Sequence, residues 1–370
     1  MKIVCNKNDL MRNISIVQKA VSNNKTVDIL NGILIEALDN DKIMFTGYDL
    51  QTGIRAEIDA EVQEKGSIVV SSNMFGDIVR KLPEDDVIIS YADNVTEIEC
   101  GSANFKIPSM DPDNFPRIPE VEENTSDKII ISQVTLKRMI NNTSFAISKD
   151  NSRPVLTGAN IVSDGSSMSV VALDGFRMAI NKEDMGNGFP IINYIVPGKA
   201  IDEMGKILSD EEDSEVIIYT SMQNLLFDLG NVKMVSRLID GNFINFNSII
   251  TKNPKSVMII DRKALYEAAD RASLIIKTEE RKCPLHLFMS DPDVLTIKAQ
   301  ALNCMVDEKI DVTVEGDLVD IDLNCRFLLD ALKNISDDTI RVEVNGALGP
   351  CIIKPCEGDS YTYLILPIRR

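Results

Sequence analysis

Three successive stretches of this chain carry the same order of helix-forming and strand-forming segments. Amphipathic segments with apolar residues at helical spacing begin at Leu10, Leu136 and Leu265, which are 126 and 129 residues apart. A second set of helical segments recurs in step with the first, at residues 73–82, 200–208 and 326–335. Because two separate landmarks keep the same offset, the sequence predicts three similar units joined in series.

Strand signals surround the second helix of each unit. In the first unit, Ser67–Val70 precedes the helix, and the acidic turn Glu84–Asp86 and the apolar run Val87–Ile89 follow it. Alternating runs such as Gly32–Ala37 and Lys42–Gly47 indicate further strands between the two helices. The sequence therefore predicts an α+β fold, in which each of three repeated domains has two helices and about eight strands.

Polar segments mark the candidate boundaries between these domains. Residues 122–127 and 251–256 are candidate linkers. We therefore predict three domains of ordinary size, with residues 1–126, 127–254 and 255–370.

The charges are unevenly distributed along the chain. The formal net charge is −18, yet the segments predicted as helices carry 17 basic and 10 acidic residues. The helices thus have a net charge of +7 and the remaining residues −25. Lysine is a good helix former on solvated faces, which is one reading of this excess. The other is a basic surface of helices that contacts phosphates without reading bases.

The residue types that most often catalyse reactions or bind metals are scarce in this chain. There is one histidine, His286, although most hydrolytic triads and zinc sites use histidine. The seven cysteines form no CxxC pair, and no glycine-rich phosphate loop follows a strand. Acidic runs such as Asp85–Asp86 lie in predicted turns, where we expect them to face solvent. We therefore predict no catalytic residue, no metal site and no cofactor.

Neither membrane nor export signals are visible in the sequence. No run approaches the roughly 18 apolar residues that a membrane span requires. The first residues, Met1–Lys7, lack the apolar stretch of a signal peptide. We expect no membrane partner and a cytoplasmic protein associated with the nucleoid.

The last residues are unusually apolar for a chain end. Tyr363–Ile368 runs apolar almost to the terminus, whereas chain ends are commonly polar and frayed. One interpretation is an edge strand that completes the third domain's sheet. A second, compatible one adds an apolar groove beside that strand for a partner peptide.

Together these features resemble the bacterial sliding clamps, the beta subunits of DNA polymerase III. The resemblance covers essentially the whole chain. Beyond the threefold repeat, it rests on Arg153–Gly158, Leu173–Ala179, Val196–Lys199, Leu238–Gly241 and Leu366–Arg369.

The resemblance implies a non-catalytic processivity factor. Two chains would join head to tail into a ring of six domains, with helices around duplex DNA. The DNA-facing positions implied by the family are Lys25, Lys149, Arg153 and Lys199. The helix pattern adds Arg80, Lys137, Lys206 and Lys277.

The resemblance also implies protein partners: the replicative polymerase alpha subunit, the clamp loader and other proteins with clamp-binding motifs. These would enter a hydrophobic pocket between the second and third domains. The positions matched to it are Leu156, Leu173, Gly175, Arg177, Met178, Ile249, Asn324, Phe327, Leu348, Pro350, Leu364, Leu366, Pro367, Ile368 and Arg369. The homodimer interface would hold Met74, Phe105, Leu274 and Ile275.

The sequence departs from the family pattern at a few positions. Asn24 stands where many relatives have arginine, and Ile244 replaces a usual proline. Phe176 replaces a residue that is often histidine, and Leu173 replaces a threonine. We therefore expect a retained pocket that is reshaped and more apolar.

Two alternatives remain open at this stage. The chain could be a clamp-like scaffold that does not encircle DNA, which would allow a monomer. It could also be an enzyme with an unrecognised carboxylate site, which predicts a polar cleft with clustered carboxylates of perturbed pKa.

Overall fold

Six α-helices, six short 3₁₀ helices and 25 strands lie in the parts of the chain that the structure describes. The structure is a computed structural model, and it describes residues 1–22, 27–123, 128–250, 253–276, 284–301 and 303–369. Both predicted linkers fall partly outside these residues. At the second, Ser256 is already the first residue of a strand.

The elements follow the predicted repeats closely. The first repeat has β1 Lys2–Asn6, α1 Lys7–Val17, β2 Gly32–Ala37, β3 Lys42–Tyr48, β4 Thr52–Asp59, β5 Glu61–Glu64, β6 Gly66–Ser71, α2 Ser72–Lys81, β7 Asp86–Ala92, β8 Val95–Cys100 and β9 Ala103–Met110. The second has β10 Lys128–Ser132, α3 Gln133–Asn141, β11 Gly158–Asp164, β12 Ser167–Leu173, β13 Arg177–Asp184, β14 Ile191–Pro197, α4 Gly198–Ile207, β15 Glu215–Thr220, β16 Asn224–Asp228 and β17 Val232–Arg237. The third has β18 Ser256–Asp261, α5 Arg262–Ile276, β19 Leu285–Asp291, β20 Val294–Gln300, β21 Met305–Gly316, β22 Asp320–Leu323, α6 Cys325–Lys333, β23 Thr339–Val344, β24 Cys351–Pro355 and β25 Tyr361–Ile365.

Two helices per repeat and eight or nine strands per repeat confirm the predicted α+β units. The strand that precedes the first helix of each repeat, namely β1, β10 or β18, is not predicted from the sequence pattern. These strands have only five or six residues and lead directly into the amphipathic helix that follows, so their short apolar runs give a weak signal of their own.

Apolar stripes pack the helices against the sheets, and α1 begins at a capping residue. In α1, Leu10, Ile14 and Val17 are buried at helical spacing. Asn6 caps this helix, since its side chain accepts hydrogen bonds from the backbone N–H groups of Asn8 and Asp9. The cap places Lys7 in the first turn, where it is buried and pairs with Glu84.

The chain divides into two compact units, and the second repeat contributes to both. One unit holds the described residues of 1–134 and 206–238, and the other holds those of 135–205 and 239–370. The first unit has a 13-stranded sheet in the order β10-β15-β16-β17-β4-β3-β2-β6-β9-β8-β7-β1-β5. The second has a 12-stranded sheet in the order β14-β11-β12-β13-β25-β24-β23-β18-β21-β20-β19-β22.

Each sheet runs across a junction between repeats. In the first unit β4 pairs with β17, and in the second unit β13 pairs with β25, both antiparallel. The C-terminal strand β25 is therefore not an edge strand, which corrects that interpretation of the apolar terminus. It lies inside the sheet, between β24 of its own repeat and β13 of the second repeat.

Candidate functional site

An apolar cluster lies on one face of the 12-stranded sheet, where the β12–β13 hairpin meets β25. Leu173 is opposite Met178, which in turn is opposite Leu364, and directly opposed side chains share a face of the sheet. The buried members of the cluster are Leu156, Val171, Leu173, Met178, Ile180, Ile352 and Leu364. The partly buried side chains packed against it are Val155, Phe243, Phe246 and Ile250.

Four of the residues matched to the pocket thus come together in one cluster. Sequence reasoning missed Val171 and Ile180, although strand alternation places them on the same face as Leu173 and Met178. It also missed Phe246, which lies in a 3₁₀ helix of three residues after β17, too short for a periodic pattern.

The remaining matched residues divide into a buried floor and an exposed rim. Met178 is only 3% exposed, so its side chain belongs to the floor. Ile249 is 39% exposed, and Leu348 and Leu366 are exposed as well. Phe176, at the tip of the β12–β13 hairpin, is also exposed and was not assigned to the pocket from the sequence. A partner would meet the rim first, whereas the floor stabilises the fold.

The hairpin tip at Asp174–Arg177 is held by an aspartate turn. Asp174 Oδ1 accepts hydrogen bonds from the backbone N–H groups of Phe176, at 2.9 Å, and Arg177, at 3.0 Å. Gly175 has a φ of +93°, a conformation that glycine adopts without steric cost. The Phe176 carbonyl accepts a hydrogen bond from the Leu366 N–H at 2.8 Å. The rim is thereby tied to the C-terminal segment.

Arg177 cross-links the second and third repeats beside this hairpin. Its guanidinium pairs with Asp174, at 3.0 Å, and with Asp330 of α6, at 2.5 Å, and it donates to the Phe145 carbonyl at 2.6 Å. It also lies over the Phe327 ring, 4.4 Å from its centroid. Because its donors are engaged within the protein, Arg177 positions the site's walls.

The other matched residues lie around the same end of the sheet. Asn324 caps α6 by accepting from the Arg326 N–H at 3.0 Å, and Phe327 is half-buried on that helix. Pro350 lies in the β23–β24 turn with Leu348, and Pro367 is half-buried. Ile368 donates its N–H to the Asp322 carbonyl at 2.8 Å, while Arg369 is exposed.

Substituting Asp330 with asparagine should lower the stability of this cross-link. The change leaves the nearly buried guanidinium of Arg177 with one carboxylate fewer. We expect the free energy of unfolding to fall by about 1–3 kcal/mol and the melting temperature to fall by several degrees. Thermal unfolding followed by circular dichroism measures the effect. Arg326→Gln is the matched control, because Arg326 is exposed and lies 4.0 Å from the same carboxylate. Equal melting temperatures for the two variants would contradict the assignment.

The residues predicted to face DNA lie mostly on the surface. Arg80, Lys149, Arg153, Lys199 and Lys206 are exposed, and Lys137 is half-buried. Lys25 and Lys277 lie outside the described residues. Some helical cations meet carboxylates of the same chain, as Arg80 does with Asp77 at 2.6 Å and Arg138 does with Glu183 at 2.6 Å.

The residues predicted for the dimer interface are accessible in the single chain. Met74 lies on α2 and Phe105 on β9, and both side chains are exposed. On α5, Leu274 is 64% exposed and Ile275 is half-buried. Leu274 is therefore a large apolar side chain with most of its surface in water.

The largest pKa shifts at the cysteines belong to buried structural groups. Burial raises the pKa of Cys351 to about 12, and burial with the nearby Asp86 raises the pKa of Cys5 to about 12. These thiols therefore stay protonated near neutral pH. Within the described residues, no group of three or more histidine, cysteine or acidic side chains could hold a metal ion. In the same part of the chain, none of the helices has the length and hydropathy to cross a membrane.

Comparison with known proteins covers almost the whole chain. The family descriptions "DNA polymerase III beta subunit" for the N-terminal, central and C-terminal domains match residues 1–119, 130–245 and 247–369 in turn. The chain belongs to the DNA polymerase III beta subunit family. The three matches follow the three repeats one by one, and the finer boundaries given above stay a prediction.

Individual beta subunits agree with this assignment. A beta sliding clamp from Staphylococcus aureus (strain Mu50) is 36% identical over 369 residues, covering 95% of this chain and 94% of that protein. The solved structure of the DNA polymerase sliding clamp from Bacillus subtilis superposes with a TM-score of 0.95 at 33% identity, covering 100% of this chain and 99% of that one. The DNA polymerase III subunit beta from Pseudomonas aeruginosa reaches 0.91 at 25% identity, with full coverage of both chains.

Family membership identifies a processivity factor, which is a non-catalytic part of the DNA polymerase III assembly. This confirms the function predicted from the repeats and motifs. None of these comparisons supports the alternative of a scaffold that does not encircle DNA. As in other beta subunits, interactions with DNA and with polymerase-associated proteins are part of the family's role.

Proposed function

We propose that two copies of this beta subunit close head to tail around duplex DNA and hold their partners through the cluster at the β13–β25 junction. The observation that supports this proposal most directly is the way that the repeats join within one chain. Because its ligand would be DNA, the protein would act at the nucleoid, in the cytoplasm.

The two junctions inside the chain use equivalent strands. The third strand after the first helix of one repeat, β4 or β13, pairs with the last strand of the next repeat, β17 or β25. In the third repeat, the third strand after the first helix is β21, and in the first repeat the last strand is β9. Neither of these two strands has a junction partner within the described residues of the chain. Residues 305–311 of β21 pair with β20, and residues 103–108 of β9 pair with β8. Among the described residues, no strand pairs with their opposite edges.

A second copy of the chain could pair with both of these strand edges in the same way that the repeats pair within one chain. Joining β21 of one copy to β9 of another is a heterologous contact, and it closes a ring when two chains supply six repeats. Phe105 lies on β9, which supports its predicted place in the interface. Met74, Leu274 and Ile275 would add apolar area around the paired edges.

The basic helices would face the enclosed duplex. A closed ring cannot leave DNA sideways, so weak contacts are enough for retention. Lysine and arginine side chains would meet phosphates through mobile and partly water-mediated contacts, which allows sliding. The exposed loop at Lys149–Arg153 is the clearest candidate described, and its turn is held by Asp150, which accepts from the Ser152 N–H at 2.9 Å.

Removing Lys149 and Arg153 together should weaken DNA binding without altering sequence preference. The salt slope of binding should fall by about 0.9 for each phosphate that the protein no longer neutralises. Fluorescence anisotropy with a short duplex between about 50 and 200 mM salt measures this slope. A control variant with Lys65→Gln and Lys182→Gln removes two cations that are not among the predicted DNA-facing residues. A changed preference between duplex sequences with an unchanged slope would contradict the proposal.

The groove at the β13–β25 junction would receive clamp-binding motifs of the polymerase alpha subunit, the clamp loader and other proteins. Leucine or phenylalanine anchors would pack on the exposed apolar rim above the buried floor, to which Phe176 would add an aromatic side chain. Phe176 and Leu173 would make this groove more apolar than the family pattern.

Retention on DNA after loading tests the proposed ring. The loaded protein should remain on nicked circular DNA and slide off linear DNA of the same length. Gel filtration that separates free from DNA-bound protein gives the two half-lives. Equal half-lives would exclude a closed ring.

A further inference from the structure

A cleft of about 360 Å³ lies in the third repeat, beside the C-terminal segment that follows β25. Its walls come from the start of β18, from residues 317–322 and from the turn between β23 and β24, and Ile368 also lines it. None of the buried residues of the apolar cluster at the β13–β25 junction lines this cleft. The cleft is therefore a space of its own, separate from the floor of the proposed partner site.

The C-terminal segment connects this cleft to the rim of the proposed partner site. The Leu366 N–H donates to the Phe176 carbonyl at 2.8 Å, at the hairpin tip. Two residues on, the Ile368 N–H donates to the Asp322 carbonyl at 2.8 Å, in the wall of the cleft. Two residues of extended chain span about 7 Å. Leu348, another residue of the rim, lines the cleft as well, so a peptide that leaves the rim reaches the cleft within a few residues.

Two large apolar side chains line the cleft and remain largely in water. Leu318, in the loop between β21 and β22, is 49% exposed, and Leu348 is 73% exposed. Removing apolar surface from water is favourable, roughly in proportion to the area that is covered. The cleft is therefore suited to an apolar side chain of a binding partner.

Backbone hydrogen bonds hold the walls of the cleft in place. Ser256 of β18 pairs with Val344 of β23, and the Asp317 N–H donates to the Lys255 carbonyl at 3.1 Å. The Val319 carbonyl accepts a hydrogen bond from β19 at 2.9 Å. Because its walls are fixed in the free protein, a partner would not have to order them, and this lowers the cost of association.

The charged side chains of the cleft are mostly acidic. Those that line it are Asp317, Asp320, Asp322 and Lys255, with a formal sum of −2. Asp317 and Asp320 are exposed, whereas Asp322 is buried. Such a wall attracts a basic side chain of a partner and repels an acidic one.

We propose that this cleft binds the residues that flank the clamp-binding motif of a partner protein, with an apolar side chain against Leu318 and Leu348 and a lysine or arginine beside Asp317. Two observations select this occupant: the cleft continues from the rim where the motif would bind, and its wall is acidic. The proposal rests on the function proposed above for the β13–β25 junction, because the motif would bring its flanking residues to the cleft.

Peptides that differ only in their flanks test the cleft on the full-length protein. The probes are the clamp-binding motif of the polymerase alpha subunit alone, and the same motif lengthened by Lys-Leu-Lys at either its N-terminal or its C-terminal end. Calorimetry gives the dissociation constant of each. One lengthened peptide should bind the wild type at least about tenfold more tightly than the motif alone, because it adds an apolar anchor and an ion pair. Lengthening by Glu-Leu-Glu at the same end should give a much smaller gain.

Two variants locate this gain in the cleft. Leu318→Ser should abolish most of it, and Asp317→Lys should remove the preference for the basic flank, since the charges of the cleft then sum to zero. Both side chains are exposed, so the melting temperature and the affinity for the unlengthened motif should stay unchanged. Ile191→Ser, at a site that is 81% exposed and outside the cleft, is the matched control for lost apolar surface.

Equal affinity of the wild type for all of the peptides would overturn the proposal, and so would a gain that persists in Leu318→Ser or is lost equally in Ile191→Ser. If light scattering shows that Leu318→Ser weakens the dimer, the cleft belongs to the contact with the second copy, and the proposal is wrong. Each of these results leaves the function proposed for the β13–β25 junction intact, provided that the unlengthened motif binds the wild type. If the unlengthened motif does not bind, that function is wrong and this proposal fails with it.

Discussion

Leu274→Asp should convert the dimer into monomers. Leu274 is largely exposed in the single chain, so the substitution leaves the fold of the monomer intact. In the proposed ring it would place an unpaired charge in each of two identical interfaces. At about 3 kcal/mol for each buried charge, the dimer dissociation constant should rise by about 10⁴-fold.

Light scattering coupled to gel filtration at micromolar concentration distinguishes the two states. Leu318→Asp is a suitable control, because Leu318 is another exposed leucine of the third repeat that no junction equivalence places in the interface. A wild type that is already monomeric at this concentration would contradict the ring, and so would a dimer that tolerates Leu274→Asp.

Ile249→Glu should weaken binding of a short peptide with a clamp-binding motif about 30-fold. Ile249 lies on the rim of the apolar cluster and is exposed enough to carry a charge without loss of folding. A peptide anchor that packs beside it would then have to desolvate a carboxylate, which costs about 2 kcal/mol or more and weakens binding about 30-fold. Calorimetry on the intact protein measures the difference.

The buried floor is a poorer place for this test. A glutamate at Met178 would put the charge inside the sheet's apolar face, so weaker binding could reflect a failure to fold. Ile191→Glu provides the matched control for an exposed isoleucine outside the cluster. If Ile249→Glu and the wild type bind the peptide equally, the partner site lies elsewhere.

Local patterns predicted the elements of this fold better than the pairing between them. The helical spacing of Leu10 and Ile14 and its repetition along the chain were enough to predict three similar α+β units. The apolar terminus predicted the strand β25, but its alternation could not reveal that β13, about 180 residues earlier, is its neighbour. Pairing depends on which edges the whole fold brings together, and every buried strand offers similar edges.

In the candidate site too, local features could be predicted from the sequence and long-range contacts could not. Leu173 and Met178 could be matched from a local motif, and they do lie opposite each other. The ion pair between Arg177 and Asp330 could not be predicted from the sequence, because the two residues are 153 positions apart and no local pattern indicates the contact.

The sheets that cross the repeats also bear on how the chain folds during synthesis. β4 is complete at Asp59, but its neighbour β17 begins at Val232, so the growing chain carries an open strand edge in the meantime. At about 5–20 residues per second, that interval lasts on the order of 10–35 s. The nascent first repeat is therefore exposed to edge-to-edge aggregation for that time, and we expect fragments cut between repeats to be far less soluble than the whole chain.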